Sequence, residues 1–236
     1  MAHLAEEVRF GCPRATISQP AAPGVSAYAV IMRTVVYVDA FNLYYRALKG
    51  TAYKWLDLWA LSLLLLTPPG YNIQRVRYFT AHVTPRANDV RAAQRQQAYI
   101  RALKATKVNV HLGTYMAKTK TRPLANKTPL KFVEILDTEE KGSDVNLASY
   151  LLRDGYRDEY EAALVISNDS DLKLPIRMVQ KELGKSVVVA ITDPKAPRSA
   201  LPATSYRRVR SGVLARSQLP DPVREGQGSV YKPSGW

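Results

Sequence analysis

The chain has 236 residues, a net charge of +14 from 34 Lys and Arg against 20 Asp and Glu, and 46% hydrophobic residues. That apolar content suffices for one α/β core with length left for tails, and the positive excess points to nucleic acid or another anionic partner. The single cysteine, Cys12, excludes an internal disulfide, and no run approaches the roughly 18–20 apolar residues of a membrane span.

Residues 1–31 mix Pro, Ala, Glu and Arg without the apolar centre of a secretory signal. They read as a flexible extension or as the product of an upstream start, since Met32 directly precedes the first strand. Residues 33–39 (RTVVYVD) form a β-branched run that ends on an acid, as a buried parallel strand does. Residues 41–48 have helical spacing, and 56–66 read as an apolar helix stopped by Thr67-Pro68-Pro69-Gly70. A strand is expected over 73–81, an amphipathic helix over 88–104 and a third strand over 108–112.

The basic, Pro-broken stretch 116–128 reads as a surface loop. A short strand over 131–136 and a helix over 143–153 follow. The run 162–167 (AALVIS) is an apolar strand, 171–183 its helix, and 186–191 (SVVVAI) the last strong strand. Strand alternating with helix predicts an α/β fold, mostly parallel. The expected domain is 32–193, followed by a basic Pro/Arg/Ser-rich tail over 194–236, within which residues 200–214 pack locally.

In a parallel α/β sheet, ligands sit beyond the carboxyl ends of the strands. Asp39 and Asn42 follow the first strand, Asp144 opens a helix, and Asn168, Asp169 and Asp171 follow the apolar strand. Each acid taken singly reads as a turn or helix-cap residue. Together they form a set of hard oxygen donors that a divalent cation such as Mg²⁺ or Mn²⁺ accepts.

Three stretches, VYVDAFNLYY (36–45), KGSDVNLASYLL (141–152) and LVISNDSDLKLPIR (164–177), resemble the NYN domain family of the PIN-like superfamily of metal-dependent ribonucleases. The likeness spans residues 33–192. It implies a three-layer α/β/α sandwich with a mostly parallel central sheet and an acidic pocket for Mg²⁺ or Mn²⁺. Carried over by position, Asp39, Asp144 and Asp169 are the implied metal ligands, Asn42 and Asp171 share the catalytic pocket, and Lys141, Ser167 and Asn168 flank it. One departure stands out. Relatives often carry a further aspartate where this chain has Tyr150.

The resemblance implies a metal-dependent endoribonuclease acting on single-stranded or structured RNA. The alternative is a catalytically inactive module that binds RNA or protein, with Tyr150 marking the change. A basic approach surface is expected from Arg75, Arg77, Arg86, Lys118, Lys120, Arg122 and Lys127, then from Arg207, Arg208 and Arg210, with Tyr206 placed to stack on a base. His82 and His111 are assigned no role. A cytoplasmic location is expected, and a homodimer is compatible with the sequence.

Overall fold

The computed structural model describes residues 31–66, 70–84, 89–125, 128–193, 195–197 and 201–236, with the main chain alone at 115–118 and 136–140. The expected extension 1–31 lies almost wholly outside them. Six strands form one sheet: β1 (Met32–Asp39), β2 (Tyr71–Thr80), β3 (Asn109–Leu112), β6 (Ala162–Ile166), β7 (Ser186–Ile191) and β8 (Ser205–Arg208). Their order is β3-β2-β1-β6-β7-β8, and every neighbouring pair is parallel. The chain builds outward from β1 in one direction and from β6 in the other, so the sheet has its switch point between these two strands.

Because side chains alternate along a strand, each strand feeds two cores. Val36 and Val38 of β1 and Leu164 and Ile166 of β6 join one apolar layer. On that side lie α1 (Ala40–Leu43), α2 (Leu58–Leu66), α3 (Ala92–Ala105) and α6 (Ser211–Arg216). Val35 and Tyr37 of β1 and Ala163 and Val165 of β6 join the other layer, under α4 (Ser143–Tyr156) and α5 (Lys173–Lys181). The result is the expected α/β/α sandwich of PIN-like type.

Three expectations change. The stretch 116–128 is not a loop: β4 (Thr114–Pro123) pairs antiparallel with β5 (Phe132–Lys141) over ten register positions, Thr114 facing Lys141 and Pro123 facing Phe132. This two-stranded arm stands apart from the main sheet, so its strand character comes from pairing across the hairpin, and the polar run 118–122 leaves no apolar alternation to read. Secondly, ordered structure runs past the expected boundary at residue 193. Beyond β8 and α6, the hairpin of β9 (Val223–Glu225) and β10 (Gly228–Val230) packs Val223 and Val230 into the first core. Trp55 Nε1 donates to Pro220 O at 3.0 Å, and Leu219 N donates to Trp55 O at 2.9 Å.

The third change concerns Arg77, expected on a basic surface but only 5% exposed. Its Nε donates to Asp154 Oδ2 at 2.8 Å, and Tyr37 Oη donates to the same oxygen at 2.9 Å. Asp154 is 0% exposed, so this ion pair crosses from sheet to α4 with no water to share the charge. Arg77 Nη1 also lies 3.2 Å from His111 Nε2. The ring stacks on Phe79 with centroids 4.9 Å apart. An arginine has only protons to offer, so Nε2 accepts and the imidazole is neutral. Burial, then the cations Arg77 and Arg153, pull the His111 pKa down to about 4, against a smaller upward pull from Asp154.

Two outcomes follow. Asp154→Ala leaves Arg77 charged and buried without its partner, and denaturant unfolding should lose about 3–5 kcal/mol. For His111, the unfolded ring takes up a proton near pH 6.5 and the folded one near 4. Its contribution is therefore complete above pH 6.5 and is lost as pH falls towards 4. His111→Gln should flatten the stability–pH curve in that window, measured by thermal unfolding.

Candidate functional site

Asp39 closes β1 with the parity of Val35 and Tyr37, so its carboxylate lies on the α4 side of the sheet. Ser167 follows β6 with the parity of Ala163 and Val165 and reaches the same side. Its hydroxyl donates to Asp39 Oδ2 at 2.8 Å across the switch point. The other carboxylate oxygen, Oδ1, accepts the Asn42 main-chain N–H at 3.0 Å and caps α1. Asp39 is 4% exposed and Ser167 0%, so the charge is buried yet hydrogen-bonded on both oxygens.

Ser167 Oγ also accepts the N–H of Asp169 at 3.0 Å, which turns the chain after β6 and brings the Asp169 carboxylate back over the sheet edge. Asp144 arrives from the opposite direction. Gly142 has φ +95°, a backbone that side-chain-bearing residues rarely adopt, and this turn carries β5 into α4 with Asp144 in the first turn. Carboxylate oxygens of Asp39, Asp144 and Asp169 lie within 4.8 Å of one another. Oxygens on opposite sides of one Mg²⁺, each at about 2.1 Å, are about 4.2 Å apart. The all-oxygen donor set of the triad fits a hard divalent ion.

The remaining expected residues fall into place unevenly. Asp171 is exposed and outside the triad; its N–H donates to Asp169 Oδ1 at 2.9 Å. Asn42 and Asn168 brace the edge. Asn42 Oδ1 accepts Asn168 N at 3.1 Å, while Asn168 Oδ1 accepts the N–H groups of Thr192 and Asp193 at 2.6 and 3.1 Å. Thr192, 0% exposed, places its hydroxyl 2.7 Å from Asn42 Oδ1 and 2.6 Å from Asn168 Oδ1. Sequence reasoning missed Thr192. Its only signal is its place at the end of the last apolar strand, beside the other two strand ends.

Lys141 stands at the foot of the β4–β5 arm, and Lys120 and Arg122 lie farther out along β4. The Arg122 side chain is exposed. Arg86 and Lys127 lie outside the described residues, and of Lys118 only the main chain is described. Arg75 pairs with Glu159 at 2.6 Å. Arg207 Nε donates to Leu65 O at 2.9 Å and Arg208 Nη2 to Ala196 O at 3.2 Å, so both guanidinium groups brace β8. Tyr206 Oη donates to Leu201 O at 2.7 Å, and its ring packs on the α4–α5 core, where it is not free to meet a base. Tyr150 lies between two guanidinium groups, Arg77 at 4.7 Å and Arg153 at 4.2 Å from its centroid.

On the other side of β1 lies a cavity of ≈ 270 Å³. Ala40, one residue beyond Asp39, and Thr80, at the end of β2, form part of its wall. Among the described residues the triad is the single group of three metal-competent side chains.

The chain is 29% identical to the 6-hydroxy-3-succinoylpyridine 3-monooxygenase HspA of Pseudomonas putida (strain DSM 28022 / S16), over 87% of this chain and 75% of that protein. A protein of unknown function from Vibrio parahaemolyticus RIMD 2210633 superposes with a TM-score of 0.49 at 15% identity, covering 79% of this chain and 98% of that one. The NYN domain model matches residues 33–208, three quarters of the chain and the whole six-stranded sheet. With an acidic cluster at the switch point of that sheet, the chain belongs to the NYN domain family, a PIN-like nuclease family.

Proposed function

We propose that the protein is a metal-dependent endoribonuclease whose centre is Asp39, Asp144 and Asp169. The observation that carries this reading is the convergence of three carboxylates from three separate segments within 4.8 Å. Uncompensated carboxylates so close repel one another, and a cation between them removes the conflict. Mg²⁺ or Mn²⁺ held there supplies Lewis acidity for the attack of water on a phosphodiester. Asp39 is the fixed ligand, because Ser167 and the Asn42 N–H immobilise both its oxygens. Ser167 and Asn168 act as positioning residues, and Asp171 helps to fix the turn that presents Asp169.

RNA approaches over cationic groups near this edge, with Lys141, Lys120 and Arg122 on the arm as the proposed contacts. Such contacts follow the phosphate chain, so binding falls with salt and discriminates little between sequences. All three carboxylates come from one chain, and the site calls for no second copy. Tyr150 does not interrupt the triad; it occupies the cation-lined flank of α4.

A second reading takes its lead from the relative's name, a monooxygenase of a pyridine. The aromatic cavity beside Asp39 favours it. Oxygen uptake driven by 6-hydroxy-3-succinoylpyridine in the presence of a reductant would support that reading.

Two experiments test the nuclease. At Mn²⁺ a hundredfold above its dissociation constant, linkage contributes about 2.7 kcal/mol, or roughly 5–11 °C in Tm at this chain length. Asp144→Asn should abolish that rise while leaving the metal-free Tm unchanged or higher, because a repulsive charge is gone. With labelled RNA and Mn²⁺, Asp39→Asn and Asp144→Asn should lose cleavage by more than about 100-fold, and Ser167→Ala by roughly 10–100-fold. Equal cleavage by all forms would identify a contaminant and end the assignment. Retained RNA binding without cleavage in the wild type would leave an inactive binding module.

A further inference from the structure

The cavity on the first-core side of β1 is walled largely by aromatic rings. Six aromatic side chains line it: Phe41, Tyr44, Tyr45, Tyr78, Tyr99 and Trp236. Phe41 and Tyr45 stack with centroids 6.5 Å apart and planes 17° apart. Tyr99 meets Trp236 at 5.6 Å and Tyr78 at 6.1 Å, edge to face. A small-molecule site commonly spans roughly 300–1,000 Å³. At ≈ 270 Å³ this one suits one planar ring system and little more.

Several polar groups of the cavity are committed inside the protein. Tyr99 Oη donates to Leu56 O at 2.8 Å. Gln96 uses its amide nitrogen on Ala81 O at 2.8 Å and its oxygen on Val83 N at 2.9 Å. Arg95 Nη2 reaches both carboxylate oxygens of Asp89, at 2.7 and 2.5 Å. What these residues offer a ligand is chiefly π faces. Two further lysines line the cavity, Lys49 and Lys54, with Lys49 Nζ 5.3 Å from the Tyr45 ring centroid. The ligand is therefore a flat ring carrying negative charge near it.

One wall is a π-helical segment, Tyr44–Leu48, directly after α1, closed by a Lys49 N–H bond to Tyr44 O at 2.7 Å. Such segments are rare and concentrate at functional sites. This one begins five residues after Asp39. The cavity wall begins at Ala40, directly after Asp39, so the cavity and the acidic triad lie on the two sides of the same strand end.

We propose that this cavity is a nucleobase site, which takes an unpaired base of the RNA next to the bond that the triad cleaves; the assignment of that bond rests on the ribonuclease reading. Stacking accepts any base and the lysines attract the charged chain beside it, so the site fixes the position of the chain and reads little sequence. It requires a base free of its partner, which favours single-stranded over paired RNA.

The test measures binding without cleavage. Short labelled single-stranded RNAs, one intact and the others abasic at one nucleotide in successive positions, are titrated in EDTA by fluorescence anisotropy. Wild type should lose affinity by about 5- to 150-fold when the base that enters the cavity is missing. Tyr45→Ala should weaken binding of intact RNA to a similar extent and be indifferent to that abasic position. Tyr45 is 51% exposed, so this variant keeps the core, as circular dichroism will verify. An unchanged affinity in Tyr45→Ala, or an equal loss on intact and abasic RNA, would overturn the proposal. So would quenching of tryptophan emission by nicotinate that RNA cannot displace, since the cavity would then serve a free heteroaromatic acid. If the abasic pattern holds but Mn²⁺ yields no cleavage, the base site stands and only the nuclease reading falls.

Discussion

The hydrogen bond from Ser167 Oγ to Asp39 Oδ2 joins the two halves of the molecule at the place where they diverge. A carboxylate at 4% exposure is tolerable only if its oxygens are satisfied, and β1 has too few donors of its own to do it. The second donor must come from the neighbouring strand end, which makes the β1–β6 register a condition of the site. Once Ser167 is in place, its oxygen also sets the turn carrying Asp169. The brace of Asn42, Asn168 and Thr192 extends the same edge to the end of β7. Three parallel strand ends are thereby tied by side chains where the main-chain ladder stops.

Much of this was legible in the sequence because the central strands are nearly continuous apolar runs. Apolar runs that end on acids mark both the strand and its carboxyl end, and the topology of parallel sheets does the rest. Asp39 and Asp169 follow such runs, Asp144 was read as an acid in the first turn of a helix, and their roles came from the resemblance. The arm was not legible: Thr119, Lys120, Thr121 and Arg122 carry no apolar period, and their strand conformation depends on residues 133–136. Local packing was expected only as far as residue 214. Beyond it, scattered apolar residues such as Leu219, Val223 and Val230 enter the core and Pro220 O accepts from Trp55, which leaves no pattern along the chain. Arg77 sat correctly in a strand, but no rule of alternation says that Asp154 waits across the layer to receive it.

The α4 face shows what Tyr150, where the resemblance implies a further aspartate, packs against. Tyr150 spreads over Arg77 and Arg153 and meets His111 at 4.2 Å. The acid that answers those cations is Asp154, one turn along the helix and fully buried. It pairs with Arg77 and accepts from Tyr37, so its charge is spent on joining helix to sheet. Charges on this face form a closed structural set, whereas the triad, one and more turns away, has the geometry to share a cation.

The two candidate sites are divided by a single peptide bond. Asp39, the last residue of β1, faces α4, and Ala40, the first of α1, lines the aromatic cavity, so this strand end serves both sides of the sheet. The helix that follows then leaves α geometry at Tyr44. Asn42 lies in the short helix between, its N–H on Asp39 and its side-chain oxygen on the β6 and β7 ends. This segment therefore joins the wall of the cavity to the main-chain group that orients Asp39, at the place where β1 passes into α1.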